Sequence, residues 1–379
     1  MSRAIRLGFS IVVVLAGVGV AFRAAADDPP EPIELAPLDQ LQRERVEAAR
    51  SFVEETRTAY DKDTITYDLV ILAIRELLDA ELDAAVTPKE REAARARCAI
   101  AAGALETKVK RLYEEGMRGG EADKYGFTRT VLLQAQIELA LEKDAAAKDS
   151  PEVEGLRKER LAAARSFAEA ARAAYDTDTV TLDLFEQSYR ELWKALLDAA
   201  LTPAERLVTY KSVVDGTRNI ETKLIALNAA GARGGEQDKL EMAKVARLAA
   251  EINLARTSLE ADDDRAALDK LLSERVIAAQ AFVAATCAVA RNDAITLDIL
   301  LFADCELLNA KLDAARNRAD RIAAYEQMVW VARSFETKIR LLNKAGARGG
   351  EGDKVAHTRV VRLRAEVGLA RARLARDTD

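Results

Sequence analysis

Along the chain, Ala- and Leu-rich stretches with interspersed Glu and Arg alternate with short corners of glycine, proline or Asp/Thr. No run shows the two-residue alternation of a half-buried strand bounded by turns. The stretches therefore read as helices and the corners as their ends. The first helix spans about 40–60 and stops at Tyr60-Asp61-Lys62-Asp63. A second begins after Thr66, whose hydroxyl can cap the free backbone N–H groups while Asp68 sits against the positive helix end, and runs to about Ala85. Thr87-Pro88-Lys89-Glu90 reads as a capping box with proline at the first helical position. The helix it opens ends at Gly116, and Gly119-Gly120 breaks the chain before a fourth over about 121–143.

The same pattern returns twice. Arg118-Gly119-Gly120-Glu121-Ala122-Asp123-Lys124 recurs as RGGExDK at Arg233, Gly234, Gly235, Glu236 to Lys239, and at Arg348, Gly349, Gly350, Glu351 to Lys354, each 115 residues on. Glu106-Thr107-Lys108, the pair Glu44-Arg45, and Asp63, Thr66 and Asp68 keep that interval without a gap. A period held at so many positions is tandem duplication. Within one unit, Tyr60-x-x-Asp63 and Tyr113-x-x-Gly116 each precede a turn and another helix, so a unit reads as two αα-hairpins. The expected fold class is all-α: three tandem 115-residue repeats of long antiparallel hairpins, arranged as a coiled-coil-like bundle or an array. Phe52, Phe167 and Phe282 share one slot and Leu77, Leu192 and Leu307 another; both are assigned to the core.

Residues 1–26 change the picture by placing the chain outside the cytoplasm. A basic start, an apolar run from Leu7 to Phe22, and Ala24-Ala25-Ala26 before Asp27 make a secretory signal with cleavage after Ala26. Residues 27–37, acidic and proline-rich, read as a flexible leader, followed by helical repeats at 38–149, 150–264 and 265–379. No long apolar stretch follows Ala26, so the expectation is an exported protein of the periplasm or outer-membrane surface with no transmembrane span. With 57 basic and 63 acidic residues mixed along the chain, nothing favours nucleic acid.

Candidate chemistry is sparse. His357, the single histidine, shares its slot with Phe127 and Met242 and reads as a packed ring. Without an HExxH pattern or paired cysteines, no metal and no cofactor is expected. Cys98 shares a slot with Val213 and Met328 and reads as core. Cys287 and Cys305 stand where the other copies carry Arg57 and Arg75, Arg172 and Arg190; whether they pair is left open. The glycines of RGGExDK suggest anion capture at a helix start, but no Gly-Lys-Ser/Thr follows, and the motif reads better as a helix–helix turn. Glu81 and Asp83, two apart, do not share a helix face and read as solvated surface. The arginines 359, 362, 364, 371, 373 and 376 read as an exposed basic face. No serine, histidine or carboxylate constellation supports catalysis, so the chain is expected not to be an enzyme.

The segment Tyr60-Asp61-Lys62-Asp63-Thr64-Ile65-Thr66-Tyr67-Asp68-Leu69, with its Leu/Ala-rich continuation, resembles the hairpin segments of TolC-type outer-membrane efflux proteins, as do Tyr113-Glu114-Glu115-Gly116 and Tyr175 to Leu184. The resemblance implies packing like that family's periplasmic coiled-coil tunnel and contact at hairpin tips with an adaptor protein. The strands of that family's membrane barrel have no counterpart here. The expected function is an exported, non-enzymatic scaffold or interaction protein of the cell envelope; the alternative is a component of an outer-membrane efflux or transport system. Its partners are expected to be proteins, through self-association or envelope components. The turn residues Asp63, Thr66, Asp68, 118–121, 233–236 and 348–351 are the expected contacts.

Overall fold

The computed structural model describes residues 33–62, 67–117, 121–144, 147, 148, 150–176, 182–231, 237–258, 265–290, 297–346 and 351–375. Among these residues the fold is all-α, with twelve helices and no strand. They are α1 (Leu38–Asp61), α2 (Tyr67–Ala84), α3 (Pro88–Glu114), α4 (Ala122–Lys143), α5 (Pro151–Asp176), α6 (Leu182–Ala199), α7 (Pro203–Ala229), α8 (Gln237–Ser258), α9 (Arg265–Ala290), α10 (Leu297–Ala314), α11 (Arg318–Lys344) and α12 (Gly352–Leu374). At 1.5 Å per residue they are about 27–40 Å long. The signal segment, most of the leader, and the turn residues Asp63, Thr66, 118–120, 233–236 and 348–350 lie outside the described residues.

Local chemistry sets the helix ends. Thr87 Oγ1 accepts from Glu90 N at 3.2 Å, and Glu90 Oε2 accepts from Thr87 N at 2.8 Å. Thr202 and Glu205 repeat the exchange at 3.2 and 3.0 Å. At α11, Asn317 Oδ1 accepts from Asp320 N at 2.9 Å while Asp320 Oδ2 reaches back to Arg316 N at 3.1 Å. At the far end of α3, Gly116 takes φ +65°, which brings Met117 N to Leu112 O at 2.8 Å and satisfies a terminal carbonyl. Gly231 and Gly346 take φ +61° and +60°.

The chain divides into two compact units. One contains residues 39–213 and 350–364. Its core stacks Phe127 of α4 on Phe167 of α5, centroids 5.0 Å apart, and adds Tyr67, Ile71 and Val109. Gly126 permits this approach: a Cβ there would lie 3.0 Å from the Phe167 Cα. In the same unit His357, on α12, stacks on Phe52 of α1 at 4.8 Å and 4°. The ring is buried, as its slot predicts.

The other unit contains residues 214–349 and 365–379 with the start of the chain to Leu38. Its core joins Met242, Val245 and Leu248 of α8 to Ala278, Ala279 and Phe282 of α9 and Leu307 of α10. Position 127 on 167, position 242 beside 282, and position 357 on 52 are one contact made three times, a fourth helix lying on a first helix. Phe52, Phe167 and Phe282 are all buried; of the leucine slot, Leu307 is buried while Leu77 and Leu192 are half-buried. Residues 33–37 of the leader are not helical, and the carbonyls of Ile33 and Glu34 accept from Arg373 at 2.7 Å and Arg333 at 3.4 Å. Helix α9 is, among the described residues, the one helix long and apolar enough to cross a membrane by length and composition. Its Ala278, Ala279 and Phe282 face the core, and its Arg275 bonds to Asp313.

Candidate functional site

Of the turn residues expected to make contacts, three are described. Asp68 is half-buried in the first turn of α2. Glu121 precedes α4 without a side-chain cap bond; its carboxylate instead pairs with Lys124 at 2.6 Å. Glu351 pairs with Lys354 at 3.0 Å in the same way. The structure adds what the motif alone hid. Asp123, Asp238 and Asp353, the aspartates of the three ExDK segments, are buried. Burial raises the Asp123 pKa, while its own backbone N–H and that of Lys124 work against the rise by bonding to the carboxylate. The described part of the motif anchors a helix start. Beside the first corner, Lys108 lies 4.3 Å from the Tyr60 ring centre and 2.6 Å from Asp61 Oδ1, tying α3 to the end of α1.

Three buried arginines form the strongest electrostatic feature. Arg45 bonds to Asp83 and lies 3.8 Å from Glu76. Arg160 bonds to Asp198 and lies 3.9 Å from Glu191; Arg275 bonds to Asp313 and lies 3.4 Å from Glu306. Each set joins a first helix to a second, between the start of the one and the end of the other. Glu191 also takes Arg75 and Lys194, each at 3.1 Å, and Glu76 takes Arg364 at 2.5 Å. Arg364 is exposed, as expected of a basic face, although it also pairs with Glu76, whereas Arg373 is half-buried against Glu326 at 2.7 Å, which corrects that reading for Arg373. Glu81 is corrected too. It is buried, held by Arg50 of α1 at 3.2 Å and by Arg97 of α3 at 2.9 and 3.0 Å. The spacing rule describes one helix and is blind to partners on its neighbours.

Between α1, α2 and α3 lies an open cleft of about 360 Å³. Ile74, Leu77, Leu78, Cys98 and Ala101 line its apolar part, and Arg57, Glu81 and Arg97 its polar part. Arg97 and Glu81 neutralise each other, whereas Arg57 is exposed and has no acidic partner among the described residues. Burial pushes the Cys98 thiol up to about 11, as befits a core residue.

The later copies fill this space differently. In the second, Tyr189 and Trp193 stand in the slots of Ile74 and Leu78 and continue a ring series from Phe185, with centroids 5.0 and 5.9 Å apart. In the third, Asp304, Lys311, Gln327 and Met328 replace Ile74, Glu81, Arg97 and Cys98, and the space left is about 10 Å³. Burial raises Asp304 to about 7 and lowers Lys311. None of the three cysteines is disulfide-bonded; Cys287 and Cys305 are half-buried and not joined. Among the described residues no three His, Cys, Asp or Glu groups are arranged to hold a metal ion.

No protein-family model matches the chain, and no curated protein matches it. Sequence reasoning missed the cleft and the buried arginines. The arginines had a signal: Arg45, Glu76 and Asp83 are kept in all three copies, whereas the Glu81 slot holds Leu196 and Lys311.

Proposed function

We propose that this is an exported, non-enzymatic helical scaffold that engages proteins of the cell envelope. One observation carries the reading. Val86 and Leu201 occupy the same slot, just before a capped third helix, and are 85% and 56% exposed. Ile100 on α3 and Val208 on α7 are also largely exposed, at 72% and 68%. Single exposed aliphatics are ordinary; the same slot left bare in two copies marks a surface suited to a protein partner. The ion pairs described above support the scaffold reading in a second way, because they link helix to helix instead of converging on one reacting centre. Export rests on the basic start, apolar run and alanine triplet of residues 1–26.

A second reading, an efflux-system component whose partner is an adaptor protein, rests on the likeness of Tyr60 to Leu69 to TolC-type hairpins. Cross-linking of the envelope fraction with mass spectrometry tests both. The scaffold reading expects cross-links from the Val86 and Leu201 neighbourhoods to another envelope protein, lost in a Val86→Asp/Leu201→Asp chain of unchanged melting temperature. An adaptor as the captured protein selects the efflux reading. Recovery as a monomer with no intermolecular cross-link overturns both.

A further inference from the structure

We infer that the cleft between α1, α2 and α3 of the first copy binds a single-chain amphiphilic carboxylate of fatty-acid type. Its volume, about 360 Å³, falls at the lower end of the range of small-molecule sites. The lining divides as such a ligand divides. Ile74, Leu77, Leu78 and Ala101 offer an apolar trough with the poorly ionisable thiol of Cys98 in its wall, and charge is confined to Arg57, Arg97 and Glu81.

The charge count selects the head group. Glu81 is saturated by Arg50 and Arg97, and Arg97 spends both Nε and Nη2 on it. That leaves Arg57 as the one guanidinium of the lining with no partner among the described residues. A planar fork of donors matches one carboxylate, and pairing with it does not disturb the Glu81 cluster. A cationic head would meet Arg57 with like charge.

The other two copies sharpen the argument. The second copy puts the larger Tyr189 and Trp193 in the slots of Ile74 and Leu78, the third puts the ionisable Asp304 and Lys311 in those of Ile74 and Glu81 around a space of about 10 Å³, and the third copy carries Cys287 in place of Arg57. The apolar trough and the unpaired arginine thus occur together in the first copy.

Titration calorimetry of the full processed chain with dodecanoate below its micellar concentration tests the inference, with dodecanol and dodecylammonium as comparison arms. Dodecanoate is expected to bind at one site per chain. Dodecanol and dodecylammonium are expected to bind about threefold to fivefold more weakly, the range open to a pair with an exposed guanidinium. Arg57→Gln is expected to weaken dodecanoate by about the same factor and leave dodecanol unchanged. Ala104→Phe, at an exposed position on the cleft rim, is expected to abolish binding of both without loss of helicity. No binding, a stoichiometry of three, equal affinity for dodecylammonium, or affinity untouched by both substitutions would each overturn it.

Discussion

Arg160 on α5 lies with its Nη2 3.9 Å from Glu191 Oε2 on α6, and both side chains are 2% exposed. Burial pushes the Glu191 carboxyl upward, but Arg75, Lys194 and Arg160 outweigh it and hold the group below its ordinary range. A depressed acid contributes stability above its ordinary pKa and loses it as pH falls through the folded value. Arg160→Met leaves Asp198 without that bond and weakens the compensation of Glu191, at a cost of about 3 kcal/mol in urea unfolding at neutral pH. Arg43→Met, at a 70% exposed pair with Asp39, is the control and should change little. Equal effects at the two sites would contradict the account.

Asp304 has the opposite sign. Burial raises it from 3.8 to about 7, so the folded chain keeps a proton that the unfolded chain releases. Stability therefore falls as pH rises between those values. Asp304→Asn is expected to remove that slope, raising the urea midpoint near pH 8 by the equivalent of up to about 4 kcal/mol and leaving it unchanged near pH 3. A parallel shift at both pH values would argue against a protonated Asp304.

The approach of α4 to α5 depends on Gly126, where an added Cβ meets the Phe167 backbone at 3.0 Å. Gly126→Val should cost about 1–3 kcal/mol by overpacking. Gly155, on α5, has open space around it, and Gly155→Ala should stabilise by about 0.5–1 kcal/mol through helix propensity. Thermal unfolding monitored by circular dichroism compares the two, and a destabilised Gly155→Ala would fault the propensity argument.

The capping exchanges at Thr87 and Thr202 are separate and should be additive. Thr87→Ala and Thr202→Ala are each expected to cost about 1 kcal/mol, and the double variant about twice that, in chemical unfolding. A neutral Thr87→Ala would mean that α3 does not depend on its box.

Much of the fold was legible because its signals are local. Thr87, Pro88 and Glu90 announce a helix start whatever surrounds them, and Gly116 announces an end because a left-handed residue is needed there. His357 and Cys98 were read correctly from apolar residues in their sister slots. The cleft was not legible, since its walls come from three helices and an empty volume leaves no mark on any one of them. Glu81 was misread for a related reason: Arg50 and Arg97, on other helices, decide whether it is solvated. Asp304 gave no warning either, because an aspartate in a helix ordinarily faces water, and only its alignment with Ile74 and Tyr189 betrays a buried slot.

The stacking of the final helix on the opening one has a temporal consequence. A polypeptide made amino end first delivers Phe52 early and His357 near the finish. Until that late arrival the Phe52 ring lacks its stacking partner, so this part of the first helix is among the last to be sealed.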